Sequence, residues 1–335
     1  MRKFLSTLCL LLPLFLLAQE TDPVNGVWDK TETYVAITNA HVYVRPGKEM
    51  KNATIVIKDD RIVGVHPIKK VPAGAVEVDV NGAYVYPGFI DPFSTFGITP
   101  PQSEPSDGIQ PPQYDRKEDI TGHWNESVHP EFNALTHYNY QDEQADALRQ
   151  SGFTILNTHW RDGLFRGTST IVALSGKKEA LHVLKQDGAN MLSIRKGSSQ
   201  QSYPSSLMGN IALIRQTFYD TKWYADGGKE EVRNRSLEAL ERYFELPYLF
   251  EVSAHQDILR ADKIAREFDR QFHIVAQVDA YKSADAIANT GATVILPVRF
   301  PKPIDLTDPY ESMLVSLEDL KHWELAPSNA AILNK

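Results

Sequence analysis

The chain has 335 residues, 42% of them hydrophobic and 23% charged, with a formal net charge of −8. That is apolar mass enough for one large core, or for a large core with a small one beside it. No basic stripe accompanies it, so a nucleic-acid partner is excluded at the level of charge, and the mild acidic excess serves solubility.

The opening residues Met1-Arg2-Lys3, the apolar run Leu8 to Leu17 interrupted only by Pro13, and Ala18-Gln19 before a polar stretch have the form of a cleavable export signal. Residues 1–19 are therefore expected to be removed after Gln19, which makes the mature protein periplasmic or secreted. The run is short of the roughly 20 apolar residues that a span needs, and no later segment reaches that length, so no membrane span is expected after signal removal. Cys9 is the single cysteine of the chain. Once it is lost, disulfides, thiolate zinc sites and cysteine nucleophiles are all excluded.

From Tyr34 to Val80 short alternating strands follow one another: Tyr34–Ile37, His41–Val44, Ala53–Lys58, Arg61–His66 and Val76–Val80. Pro46-Gly47, Asp59-Asp60 and Asn81-Gly82 punctuate them, the last as a hairpin signal. This predicts a small β-sandwich over residues 20–82. Ala83 to Asp91 reads as a buried strand entering a second domain, 83–335. Residues 98–140, rich in Pro, Gln, Asp and aromatics, read as a long loop or insertion. Beyond it the pattern alternates. Helices are expected at Gln141–Gln150, Ser205–Tyr219, Lys229–Phe244, Gln256–Phe268 and Ser283–Thr290, with Ser205 as a helix cap. Strands are expected at Gly152–Asn157, Ser169–Leu174, Pro247–Ser253, His273–Gln277 and Ala292–Pro297. The α/β alternation predicts a parallel sheet wrapped by helices, a (β/α) TIM-type barrel first and an open doubly wound sheet second.

No nucleophile elbow, P-loop or dinucleotide fingerprint is present. Three segments in combination resemble the amidohydrolase superfamily, in its imidazolonepropionase-like branch. They are Tyr86-Pro87-Gly88-Phe89-Ile90-Asp91; Ser151–Ile155 with Gly163–Ser169; and Val252-Ser253-Ala254-His255 with Ile258–Ala261 and Ala280–Asp285. The resemblance covers roughly residues 34 to 300. It implies a metal-dependent hydrolase of C–N bonds, acting on cyclic amides or peptide-like substrates and using a divalent metal such as zinc. His255 matches the metal histidine of the fifth barrel strand.

The expected His-x-His pair is replaced by Phe93 and Thr95, and no histidine lies in Ala276–Asp279, where the sixth strand would supply one. A phenyl ring cannot ligate, and a Thr hydroxyl is a poor zinc ligand beside imidazole. A rebuilt site would have to recruit His123, His129, His137 or His159 from loops. Asp162 and Arg166, flanking the glycine-containing segment, are candidates for holding a substrate carboxylate, with a surface ion pair as the alternative. The last barrel strand is not evident, which leaves two unpaired edges and an expectation of aggregation when the chain is expressed alone. Two functions stay open. One is an amidohydrolase; the other is a catalytically inactive amidohydrolase-like module acting as a scaffold or binding domain, homo-oligomeric or continued by an intact second copy. A third reading is a carbohydrate- or peptide-binding protein built on the sandwich.

Overall fold

The computed structural model describes residues 33–59, 61–99, 111–116, 121–175, 182–305, 307–308 and 310–334. The export signal lies outside them. Contacts divide the chain between Pro87 and Gly88 into two compact units.

In the N-terminal unit, β1 (Tyr34–Arg45), β2 (Lys48–Lys58), β3 (Arg61–His66), β4 (Val76–Asp79) and β5 (Tyr84–Val85) form one five-stranded sheet in the order β3-β2-β1-β4, with β5 also on β1. The expected sandwich is corrected to this single layer among the described residues. The two strands read over 34–44 are one, because register shifts around Ala40 absorb the irregularity without ending the pairing. Alternation is clean along β1: Ala36, Thr38, Ala40 and Val42 are buried and the residues between them less so. Asn81-Gly82 does not close a hairpin. The strands on either side of it, β4 and β5, both run parallel to β1, and the turn hands the chain from one to the next.

The C-terminal unit begins with β6 (Phe89–Ser94). The expected buried strand over 83–91 is split at Pro87 between the units, and Phe89 and Ile90 are each 63% exposed. β6 pairs in parallel with β7 (Phe153–Thr158), which pairs antiparallel with β9 (Thr170–Ala173) and, through it, β10 (Val183–Lys185). A second sheet has the order β14-β13-β12-β11-β8. It comprises β8 (Phe165–Thr168), β11 (Asn190–Ser193), β12 (Tyr248–Glu251), β13 (Phe272–Val275) and β14 (Val294–Ile295). β11 to β14 are parallel, as the alternation predicts, whereas β8 is antiparallel. The strands form two sheets, and β6 and β14 each have one named partner among the described residues.

Helices α1 (Asp142–Gln150), α2 (Leu207–Ala225), α3 (Arg235–Arg242), α4 (His255–Glu267) and α5 (Ala284–Ala288) fall where periodicity places them. Two details differ. Ser206, not Ser205, caps α2 by accepting from the Gly209 amide at 3.2 Å. The helix expected over 229–244 starts only at Arg235, because the Asn234 side chain accepts from the amides of Ser236 and Leu237 and fixes the start there. Short helices α6 (Glu311–Leu314), α7 (Leu317–Leu325) and α8 (Asn329–Leu333) follow β14.

Phe218 on α2 lies at the centre of the main core, in ring contact with Phe165, Tyr248, Phe268 and Phe272 at centroid distances of 4.9–6.3 Å. Such pairs add about 0.5–1.5 kcal/mol each beyond the area they bury. The described part of the 98–140 loop is stitched into this unit rather than loose on it. Gln201 donates to the carbonyls of Tyr114 and Trp124 and accepts from the Glu126 amide. The Asn125 amide group reaches the Tyr203 carbonyl, and the Ser236 hydroxyl accepts from the His123 amide.

Candidate functional site

The carboxyl ends of the parallel strands β6, β7, β12, β13 and β14 converge on a cavity of about 590 Å³. Phe93, Arg161, Glu251, the segment Val275–Val278, the segment Pro297–Pro301 and His322 line it. Ligand sites of α/β folds lie at this end of the strands, and the volume falls in the usual range of about 300–1,000 Å³.

Phe93 is placed by a distortion at the end of β6. Its amide donates to Asp91 Oδ1 at 2.9 Å, the Phe96 amide donates to Ser94 Oγ at 3.2 Å, and the pairing with β7 shifts register between Asp91 and Ser94. Phe93 turns inward onto Ala189, Met191 and Leu249. Thr95 lies beyond the strand and is exposed, its carbonyl accepting from the Ile98 amide. The two residues at the expected ligand-pair positions therefore do not share one strand face.

His159 follows β7 and is fully buried, its ring 4.3 Å from that of Phe93. Neither of its ring nitrogens meets a hydrogen-bonding partner among the described residues. Burial, reinforced by the nearby charge of Arg166, pushes its pKa down to about 3, and burial likewise pushes His123 down to about 4. The unfolded chain takes up protons on both imidazoles as the pH falls through their ordinary value of 6.5, while the fold keeps them neutral. The stability they allow is thus complete above that value and is lost as the pH falls toward about 3–4, by about 1.4 kcal/mol per pH unit for each imidazole. His159→Leu is expected to remove roughly half of this acid dependence. Urea unfolding between pH 6.5 and 4.5 measures it, and an unchanged slope would contradict the assignment.

The charged centre of the site is Glu251, which ends the apolar strand Tyr248-Leu249-Phe250. Arg166 Nη1 donates to its Oε2 at 2.7 Å, and Arg161 Nη2 donates to its Oε1. Burial alone would raise the Glu251 carboxyl, but the hydrogen bond from Arg161 and the charge of Arg166 outweigh it and hold the group below its usual value. Burial presses Arg166 downward against the opposing pull of Glu251. A guanidinium does not give up its proton in a protein, so the contact is an ion pair. Arg161 also lies over the Phe93 ring at 5.6 Å, a cation–π contact.

Arg166 and Asp162, expected as a substrate carboxylate site or a surface pair, are buried, at 3% and 7% exposure. The surface alternative is thereby corrected. Arg166 is committed to Glu251 and, through Nε, to the Gly163 carbonyl at 3.1 Å. Asp162 accepts from the Ser198 amide at 2.7 Å and from its hydroxyl at 2.5 Å. Gly197 makes this lock available: it has φ of +76°, and a Cβ there would stand 2.1 Å from Asp162 Oδ1 and 2.3 Å from the Gly163 nitrogen. Arg161 and Glu251 escaped the sequence reading. The signal for Glu251 was an acid closing a four-residue run that is otherwise apolar and fully strand-like.

His255 opens α4 rather than sitting on a strand. Its amide donates to Asp279 Oδ2 at 3.2 Å, and its Nδ1 lies 2.6 Å from the Ser283 hydroxyl. His129 lies beside Glu131, and His137 stacks on Phe132. Among the described residues no three or more His, Cys, Asp or Glu side chains come together as a metal site. With both Glu251 oxygens taken by guanidinium groups and a phenyl ring at the first position where a ligand is expected, these residues do not fit a catalytic zinc, which needs about three protein ligands.

The chain shares its fold with a solved amidohydrolase from Thermotoga maritima MSB8, at 20% identity and a TM-score of 0.63, over 87% of this chain and 76% of that one. Two further solved structures align more loosely. One is an amidohydrolase, at 12% identity and a TM-score of 0.40 over 90% of this chain and 76% of that one. The other is a prolidase complexed with N-methylphosphonate-L-proline, at 13% and 0.36 over 90% and 88%. No family model and no curated protein matches the sequence.

Proposed function

We propose that this chain is a catalytically inactive amidohydrolase-fold module whose cavity at the strand ends binds a small molecule or a peptide-like ligand. One observation carries the reading: the acid at the head of the cavity is clasped by two arginines, and Phe93 fills the space beside them. Fixed guanidinium charge supplies there what a cation would supply to an active relative, but it offers no open coordination position and no activated water. The export signal, and a continuation domain or a second copy as partner, belong to the same reading.

A competing reading, hydrolysis of C–N bonds by a bound divalent metal, is favoured by the fold shared with the Thermotoga amidohydrolase and by His255. Elemental analysis of the purified mature chain, with hydrolysis assays on cyclic amides and dipeptides, separates the two. The module is expected to carry well under one metal ion per chain and to release no product. A full equivalent of zinc that disappears in His255→Ala, together with turnover, would overturn the proposal.

A further inference from the structure

We propose that the ligand of this cavity is a small carboxylate with an apolar body, held by Arg161 and Arg299. The inference rests on the binding role assigned to the cavity and adds the chemistry of what enters it.

The titratable groups lining the cavity are Arg161, Glu251, Arg299 and His322. Behind them Arg166 donates to Glu251, and Asp162 accepts from the amide and hydroxyl of Ser198. Three guanidinium groups thus stand against two carboxylates, so excess positive charge remains even with His322 neutral. His322 is engaged through Nδ1 with the Tyr281 hydroxyl at 3.1 Å. Glu251 does not repel an incoming anion strongly, because each of its oxygens already accepts from an arginine.

Arg161 spends only one edge of its fork on Glu251, and its side chain is 55% exposed. The guanidinium rests over the Phe93 ring, which limits its movement. Arg299 lines the same cavity and is exposed, as are its apolar neighbours in sequence, Val298 and Phe300. Two guanidinium groups lining one cavity with the phenyl rings of Phe93 and Phe300 and the Val298 side chain suit a carboxylate head on an apolar body: planar forks match carboxylates, and the apolar surfaces take the remainder.

Calorimetric titration of the whole mature chain with benzoate and with its neutral isostere benzamide tests this. Benzoate is expected to bind saturably and about tenfold or more tighter than benzamide. Arg299→Gln and Arg161→Gln should each erase most of that preference, and Arg299→Lys should restore part of it. Arg299 lies on an exposed segment, so its variant keeps the test independent of folding, and an unchanged melting temperature verifies this. Equal affinity for the two probes, no saturable binding of benzoate, or full benzoate preference in Arg299→Gln would each overturn the proposal. The two claims fail separately. Stoichiometric metal with turnover, alongside Arg299-dependent benzoate binding, would sink the inactive reading alone. An inert, metal-free chain that takes both probes equally would sink this one alone.

Discussion

Glu251→Ala is expected to cost the C-terminal unit about 3–5 kcal/mol of stability. The substitution removes few apolar contacts. Its effect comes from what stays behind: Arg166, 3% exposed, keeps its charge and loses the carboxylate that justified burying it. The guanidinium cannot relax to a neutral form as a buried lysine would. Removing either arginine alone is milder, since Glu251 retains the other, and Arg161→Gln is the mildest because that side chain is half in water. The double change Glu251→Leu with Arg166→Met is expected to recover most of the loss, since an apolar pair of similar volume often matches a buried ion pair. Urea midpoints for the single and double variants, read at constant slope, decide the matter. A loss below about 1 kcal/mol in Glu251→Ala would show that the triad is not holding a buried charge.

Gly167→Ala is the second large effect, and it has no electrostatic component. β8 passes so close to the preceding loop that the Thr168 amide donates to the Phe132 carbonyl at 2.9 Å. Gly167 has φ of +72°, and a methyl group there would lie 1.8 Å from that same carbonyl oxygen and 2.6 Å from its carbon. The obstacle is backbone, so no side-chain rotation relieves it. Left-handed strain and overpacking add, each costing about 1–3 kcal/mol, so a loss of about 2–6 kcal/mol is expected. Because Arg166 is the neighbouring residue, the same substitution should move its guanidinium off Glu251. Thermal unfolding of Gly167→Ala beside Gly47→Ala provides the control: Gly47 also has positive φ but nothing within 4 Å, so strain acts there without a clash. Equal losses at the two positions would rule out the close approach as the cause.

Much of the framework was legible in the residues. The parallel strands β12 to β14 and the helices between them were visible because apolar periodicity switches from two to near four along that stretch, and local pattern is what sets those elements. β8 and β11 were missed for a physical reason: each is four residues long and carries Arg, Gly, Asn or Ser, and each is a strand because of its neighbours. The same holds for the site. Phe93 and Thr95 could be read as non-ligands from their chemistry alone. That Arg161, Arg166 and Glu251 meet could not be, since the partners stand 85 and 90 residues apart in sequence. The hairpin expected at Asn81-Gly82 failed because turn chemistry specifies a reversal of local backbone, while β1 decides where the two arms pair.

That arrangement gives the N-terminal sheet a spine. β1 holds β2 along one edge and β4 and β5 end to end along the other, and neither β4 nor β5 has another named strand partner among the described residues. Among the described residues β3 pairs with β2 alone. Opening can therefore proceed from the β3 side as fraying, one ladder at a time, with the rest of the sheet intact. Loss of β1 admits no such partial state: it releases both flanks together, so its amides exchange with solvent only when the whole unit lets go.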